Sequence, residues 1–305
     1  MQFASRKNER RAVTVLVVGL SLLLAACSGS SSTPSTTSTT AVPPPTVTIP
    51  SVTEDPSVSS MLPKSVAASG RLVVATSAGD PPGVFLSASG ALVGFEPDLV
   101  RAIGQVLGLR VVLVNGPSAR VVPSVVSGSA QLGAASIADT EALQSQVDLV
   151  DYYRAGQGFF VKSGSGRAFP SLAATCGATL AVVAGSTFQA AAVAQGKTCP
   201  VTVLAFAGLG GVTAAVASGR AEAGFTSSTS VEYVVSRSAG RFAVAGAPID
   251  VGPLGFAVAK SGGLSLPVAS ALNTLIADGT YAAILAKWGI QTGAVTTAVI
   301  NGATS

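Results

Sequence analysis

The chain has 305 residues, of which 48% are hydrophobic and only 10% are charged, with 18 lysines and arginines against 14 aspartates and glutamates. It contains no histidine, which excludes a histidine-based catalytic triad, a histidine proton shuttle and a histidine-ligated metal site. Residues 1–26 contain four basic side chains and one acidic side chain. Without them the chain has 14 lysines and arginines and 13 aspartates and glutamates. A near-neutral chain without clustered Lys and Arg is not expected to bind nucleic acid.

The N-terminal segment has the pattern of an export signal. Four basic residues among the first eleven precede an apolar run, 12–26, that is too short to span a bilayer comfortably. The run ends in Leu-Ala-Ala before Cys27, which resembles the lipobox of lipoprotein signal peptides. We therefore predict a lipoprotein signal peptide over 1–26, lipid attachment at Cys27, and an extracytoplasmic protein anchored to the cell membrane. An ordinary cleaved signal or an uncleaved anchor is the alternative, and either would also export the chain.

Residues 27–66 are rich in Ser, Thr, Pro and Val and show neither helical nor strand periodicity. This composition predicts a disordered tether between the membrane and the folded part of the chain.

The following 240 residues alternate between apolar runs and amphipathic segments. Arg71–Thr76 predicts a buried strand, and Phe95–Leu107 predicts a helix because Pro97 lies just inside its start with acidic residues in the first turn. Further strands are predicted at Val111–Val114, Ala130–Ile137, Thr179–Val183, Val201–Phe206, Ala221–Phe225 and Gly255–Ala259. Further helices are predicted at Val121–Val126, Phe188–Gln195, Val212–Ser218, Ser230–Arg237, Leu266–Ile276 and Tyr281–Trp288. Strands separated by single helices predict an α/β fold with mainly parallel sheets.

Two cysteines remain besides Cys27. Export would place Cys176 and Cys199 in an oxidising compartment, where a pair of thiols usually becomes a disulfide. Two unrelated buried thiols are the alternative.

Seven short segments, in this order and spacing, resemble the bacterial extracellular solute-binding proteins of the amino-acid-importer type. They are Gly70–Ala75, Asp80–Pro82, Val93–Leu99, Pro123–Gly128, Val147–Tyr153, Gly185–Thr187 and Asp278–Tyr281 with Lys287-Trp288. The resemblance implies two lobes, each with a mainly parallel central sheet flanked by helices, joined by two crossing strands near Tyr153–Val161 and Pro253–Ala259. Lobe 1 would combine 67–155 with 258–305, and lobe 2 would be 156–257.

The resemblance also implies a function. We expect a monomeric substrate-binding subunit of an ABC importer that takes a small polar solute, an amino acid or a similar molecule, and delivers it to a membrane permease. No catalytic residue, cofactor or metal is expected. A sensory or scaffolding lipoprotein of the same fold is the first alternative, and a lyase acting on a cyclic carboxylic acid is the second.

Ligands of parallel sheets gather at the carboxyl ends of the strands, beside helix N-termini. Gly185-Ser186-Thr187 follows a strand and precedes a helix, so it is a candidate for binding an anion, with an ordinary helix cap as the alternative. We predict that the ligand is bound by Asp80, Ser136, Thr140, Gly185, Ser186, Thr187, Phe188 and Ser227.

The chain departs from the family at three positions of the site. Leu143 replaces an arginine that clamps a carboxylate, Ser227 replaces an aspartate that pairs with an amino group, and Ser118 stands near a missing aromatic platform. These departures predict a ligand that is less zwitterionic than a standard amino acid, or a counter-charge from Asp80, Glu96 or Asp139. Turn, helix-start or capping roles are the alternatives for these carboxylates. Phe85 and Phe225 are further candidates for apolar ligand contact, against a role in core packing.

Overall fold

The structure is a computed structural model that describes residues 47–303. The predicted signal peptide, Cys27 and the first part of the predicted tether lie outside the described residues. The helices are α1 (Pro56–Ser59), α2 (Lys64–Ser69), α3 (Phe95–Val106), α4 (Val121–Val126), α5 (Glu141–Gln144), α6 (Thr187–Gln195), α7 (Leu209–Ala217), α8 (Ser228–Ser236), α9 (Ser265–Ala277) and α10 (Thr280–Trp288).

Short 3-10 helices at Ser118–Arg120 and Leu172–Thr175 complete the helical segments of this part of the chain. The strands are β1 (Arg71–Thr76), β2 (Phe85–Leu86), β3 (Leu92–Val93), β4 (Arg110–Asn115), β5 (Leu132–Ala134), β6 (Asp148–Lys162), β7 (Thr179–Val183), β8 (Thr202–Phe206), β9 (Ala223–Ser227), β10 (Phe242–Val244), β11 (Ile249–Val258) and β12 (Ala294–Ile300).

Two parallel groups of strands are joined by antiparallel strands in the middle. The main path runs β4-β1-β5-β11-β6-β9-β7-β8. In the first lobe β1 lies parallel between β4 and β5, and in the second lobe β7 lies parallel between β8 and β9. The predicted α/β fold with two lobes is therefore confirmed.

The two crossing strands are β6 and β11. β6 is 15 residues long, and it pairs with β11 at its first half and with β9 and β10 at its second half. β11 continues from the second lobe into the first, where it pairs with β5. Because the carboxyl ends of β1, β5, β7 and β9 meet near this crossing, the loops after these strands are where a ligand is expected.

Each lobe has its own apolar core. The first packs α3, α9 and α10 against β1, β5 and the start of β6 around Leu72, Phe95 and Leu272. The second has a cluster on each face of its sheet, one around Phe159 and Phe225 and the other around Phe160 and Val216. Between residues 47 and 303 no single helix is long and apolar enough to cross a membrane, although α9 and α10, bent by 79°, pass that test as a pair.

The predicted tether ends earlier than expected. Val58 of α1 is buried, and Ile49, Val52, Leu62 and Val66 pack against the core of the first lobe. The apolar residues of this stretch are too widely spaced to predict a helix from the sequence, but they pack against the apolar core of the first lobe. The sequence patterns also did not predict α5 and four strands, β2, β3, β10 and β12, of which β12 pairs with β6.

The predicted disulfide is confirmed. Cys176 and Cys199 are bonded across 23 residues, with their Cα atoms 5.5 Å apart. The bridge joins the end of a 3-10 helix to the segment after α6, so it lies within the second lobe.

Candidate functional site

The loop after β1 is held against the start of α3. The carbonyl oxygens of Pro82 and Gly83 accept hydrogen bonds from the backbone N–H groups of Phe95 and Glu96, at 2.9 and 3.4 Å. These donors belong to the first helical turn, which has no partners of its own within a helix. Gly94 is required here, because a side chain at this position would collide with the Gly83 carbonyl. The loop therefore presents Asp80 in a fixed place.

The Asp80 carboxyl is accessible to solvent and is also surrounded by protein atoms. The residue is exposed, yet burial raises the pKa of its carboxyl, while a hydrogen bond with Ser136 opposes the rise. Many protein atoms therefore surround a carboxyl that still reaches solvent. In the described part of the chain no lysine or arginine forms an ion pair with Asp80. Asp80 is therefore a carboxylate without a paired cation among residues 47–303.

Glu96 lies near Asp80 and is fully buried. Its Oε1 atom accepts two hydrogen bonds from Ser136, from the backbone N–H at 2.8 Å and from the hydroxyl at 2.7 Å. Ser136 has a positive φ of 48°, a conformation that is uncommon for residues other than glycine. The two bonds hold Ser136 in this conformation, beside Asp80.

Burial raises the pKa of the Glu96 carboxyl to about 7, and the negative charge of Asp80 adds to the rise, while the hydrogen bonds from Ser136 and the nearby Tyr152 hydroxyl oppose it. The site thus contains two carboxyls of raised pKa beside one serine, whose hydroxyl hydrogen is donated to Glu96.

The rest of the loop after β5 is fixed by β11 and by a helix cap. The Asp139 N–H donates to the Pro253 carbonyl at 2.9 Å, and Thr140 caps α5 by accepting from the Leu143 N–H at 3.3 Å. The Leu143 side chain packs against an apolar cluster around Val147 and Leu149. Leu143, at the position where the resemblance led us to expect an arginine, thus contributes to packing.

The Asp139 carboxylate is engaged by hydrogen bonds within the protein. It is buried and accepts hydrogen bonds from Gln144 at 2.8 Å and from the Ala303 N–H at 3.0 Å. The alternative of a counter-charge from Asp139 is therefore disfavoured, whereas Asp80 and Glu96 remain.

The Gly185–Phe188 segment is where the sequence places it, between β7 and α6, but its polar groups are largely satisfied locally. Gly185 donates its N–H to the side chain of Gln189 at 2.7 Å, and Ser186 caps α6 by accepting from the Gln189 N–H at 3.1 Å. Thr187 is exposed. This is the geometry of the ordinary helix cap, with Thr187 left accessible.

Phe188 packs edge-on against Phe225, with ring centroids 5.5 Å apart, at the margin of the second lobe's core. Phe225 is fully buried, and Phe85 packs against Tyr233 and Trp288. Core and interlobe packing therefore accounts for most of the surface of these rings.

Ser227 caps α8 and starts a chain of hydroxyl groups that reaches the first lobe. It accepts from the Ser230 N–H at 3.2 Å and donates its hydroxyl to the Ser230 oxygen at 2.9 Å. Ser230 in turn donates its hydroxyl to the Pro81 carbonyl at 2.7 Å. Because Pro81 is adjacent to Asp80, this chain links the second lobe to the loop that carries the unpaired carboxylate.

A pocket of about 310 Å³ adjoins the same loop and has walls from both lobes. Pro81 and Phe85 line one side, and Tyr233, Arg237 and Arg241 line the other. Its lining includes Phe85, a further candidate for ligand contact, but none of the eight residues predicted to bind the ligand.

The structure thus brings together some of the predicted residues and separates others. Asp80 contacts Ser136, and Ser227 reaches the Asp80 loop through Ser230. Thr140 and Gly185–Phe188 form no hydrogen bond with Asp80 or Ser136 in the described residues. Sequence reasoning missed Ser230 and Tyr152. Only the position of Ser230 three residues after a capping serine could have signalled its role.

This geometry defines a class of protein, a two-lobed α/β binding protein whose ligand loops meet beside two crossing strands. The chain belongs to the bacterial extracellular solute-binding proteins, family 3, whose family model matches residues 72–291.

The relatives agree with this assignment. The arginine-binding protein ArgT of Corynebacterium glutamicum is 31% identical over 255 residues, which are 81% of this chain and 83% of ArgT. The solved structure of an ancestral cationic amino acid solute binding protein, AncCDT-1, is similar with a TM-score of 0.67 and 27% identity, over 74% of this chain and 98% of that one. An ancestral arginine-binding protein bound to arginine is similar with a TM-score of 0.57 and 32% identity, over 72% and 98%.

Proposed function

We propose that this chain is the extracytoplasmic substrate-binding subunit of an ABC importer and that it binds a small polar solute carrying a positive charge. The observation that carries the proposal is the unpaired Asp80 carboxylate, with Glu96 and Ser136 behind it. A carboxylate in a partly desolvated site gains most from a cationic partner, because charge-assisted hydrogen bonds are the strong ones.

The names of the relatives support a cationic amino acid or a similar molecule as the ligand. The site of this chain differs from the expected family pattern at two positions. Leu143 packs against the apolar cluster where an arginine would bind a carboxylate, and Ser227 caps a helix where an aspartate would pair with an amino group. The cationic end of the ligand is therefore expected to carry more of the recognition than an α-carboxylate does.

Binding would shift the hinge equilibrium toward a closed form, because only that form lets both lobes contact the solute at once. A membrane permease would then recognise the closed shape. Export by residues 1–26 and lipid attachment at Cys27 belong to the same proposal, since an importer subunit must stay near its permease.

Calorimetric titration of the purified protein with L-arginine, L-lysine, agmatine, L-glutamine and L-glutamate tests the ligand class. We expect at least one cationic compound to bind and L-glutamate to fail. Preference for L-glutamate, or failure of every cation with a folded protein, would overturn the proposal. Uptake of the ligand that binds, in cells with and without the gene, tests the importer role, and mass spectrometry of the N-terminal peptide tests lipid attachment.

A further inference from the structure

Glu96 has an environment that distinguishes its two carboxyl oxygens. Oε1 is fixed by two hydrogen bonds from Ser136, whereas Oε2 is buried without a hydrogen-bond partner in the described residues. A buried acceptor without a donor is costly when it carries charge. Oε2 is therefore the oxygen on which a proton stabilises the site.

The hydroxyl of Tyr152, from crossing strand β6, lies near the Glu96 carboxyl and is also buried without a hydrogen-bond partner in the described residues. A tyrosine hydroxyl can both accept and donate a hydrogen bond. It can accept from a protonated Oε2 and donate to an ionised one. The site can thus accommodate either protonation state of Glu96 without moving the backbone.

The charged and titratable groups around Glu96 are few. Asp80 faces it from the loop after β1, Tyr152 faces it from β6, and Ser136 lies between the two carboxyls. Within residues 47–303 no cation forms an ion pair with either carboxyl. With the cleft empty, a second negative charge at Glu96 is opposed by burial and by Asp80. A cation placed at Asp80 would offset both.

We infer that Glu96 is a proton-linked positioning residue: it holds a proton on Oε2 while the cleft is empty and releases that proton to solvent when a positively charged ligand group binds at Asp80. This inference rests on the proposed function and adds a specificity rule to it. A cationic ligand benefits from the ionised Glu96, whereas a neutral ligand does not. The preference for a cation over a neutral analogue should therefore increase as the pH rises.

The direction of the effect follows from linkage. The complex holds fewer protons than the free protein, so the dissociation constant for a cation falls as pH rises. Because burial raises the Glu96 pKa to about 7, binding at pH 7 should release about half a proton per ligand. Well below pH 7 the dissociation constant should increase by up to about tenfold for each unit by which the pH is lowered.

The test is calorimetry with L-arginine, and with agmatine if arginine does not bind, at pH 5.5 to 8 in buffers of different ionisation enthalpy. Glu96→Gln keeps an oxygen for the two Ser136 bonds but cannot lose a proton. We expect this variant to bind like the wild type at pH 5.5, to bind more weakly at pH 8, and to release no proton at pH 7. Asp151→Asn is the matched control, because Asp151 also has a pKa raised to about 7 and does not contact Glu96 by any hydrogen bond. It should keep the proton release.

The outcomes separate the two proposals. If no cation binds, the proposed function fails and the inference fails with it. If a cation binds without proton release, or if Glu96→Gln weakens binding by the same factor at every pH, only the inference fails, because Glu96 then acts through structure alone. Proton release that is lost in Asp151→Asn and kept in Glu96→Gln would also overturn it.

Discussion

The Ser230 hydroxyl donates a 2.7 Å hydrogen bond to the Pro81 carbonyl and thereby joins the second lobe to the first, one residue away from Asp80. Ser230 is buried and lies in the first turn of α8. The bond is therefore placed to stabilise the closed arrangement of the lobes and to hold the Asp80 loop in it.

Replacing Ser230 by alanine should weaken ligand binding by about 3- to 10-fold, because one buried hydrogen bond contributes about 0.5–1.5 kcal/mol. Calorimetry measures the affinity, and small-angle scattering should show a less compact ligand-bound form. Ser236→Ala is the matched control, since among residues 47–303 the Ser236 hydroxyl donates a hydrogen bond only to the Tyr233 carbonyl of the same helix. Equal loss of affinity in both variants would contradict a role for the link between lobes.

Asp80→Asn should reduce the affinity for a cationic ligand by about 10- to 100-fold, because hydrogen bonds to a charged group contribute about 1.5–3 kcal/mol. Folding should not suffer. Burial raises the pKa of Asp80, so its ionised form destabilises the fold at pH 7 and the neutral variant should unfold at the same or a higher temperature.

The control for Asp80→Asn is Glu141→Gln, which makes the same change of charge at an exposed position on α5. It should leave both affinity and unfolding temperature within error of the wild type. Unchanged cation binding in Asp80→Asn would remove the observation on which the ligand class rests.

The elements with the strongest local signals were predicted from the sequence. β1 and β7 have the predicted bounds, because buried parallel strands appear as unbroken apolar runs. The start of α3 follows from Pro97 and its acidic neighbours. β12 was missed because it is a half-exposed edge segment with two threonines, and its pairing with β6 depends on residues far away in the chain.

The candidate site was predicted less completely, since local hydrogen bonds compete with ligand contacts. The predicted anion site at Gly185–Thr187 is engaged by Gln189, four residues along, and Ser227 is engaged by Ser230. Short polar side chains often bond to nearby backbone groups in this way. Sequence patterns place such residues at strand ends but do not show whether their hydrogen bonds are already used.

The disulfide should support stability without affecting the ligand. Replacing Cys176 and Cys199 together by serine should lower the free energy of unfolding by about 3 kcal/mol in the chain-entropy model for a loop of this length. Chemical denaturation measures this loss. Calorimetry at 25 °C should give an unchanged dissociation constant, because the bridge lies within the second lobe and does not contact the Asp80 loop. A large loss of affinity in a folded double variant would show that the bridge also shapes the ligand loops.

The C-terminal residues cover a second pair of carboxyls. The backbone N–H groups of Gly302 and Ala303 donate to Asp151 and Asp139, at 3.2 and 3.0 Å. Both aspartates are buried, and burial, followed by the negative charge of Asp139, raises the pKa of Asp151 to about 7, against the opposing positive charge of Arg154. The folded chain therefore holds a proton at Asp151 that the unfolded chain, with an aspartate pKa of about 3.9, gives up near pH 4.

It follows that Asp151 contributes stability that is fully present below about pH 4 and is lost as the pH rises through 7. Asparagine carries no charge at either pH, so the unfolding temperature of Asp151→Asn relative to the wild type should increase between pH 5 and pH 8. An increase of about 2–4 °C in the unfolding temperature corresponds to about 1 kcal/mol in the free energy of unfolding for a chain of this size. Differential scanning calorimetry at the two pH values measures it, with Glu141→Gln as the control. A difference that stays constant or shrinks with pH would mean that Asp151 is already ionised at pH 5 in the folded protein, and that the hydrogen bond from Gly302 stabilises its charged form.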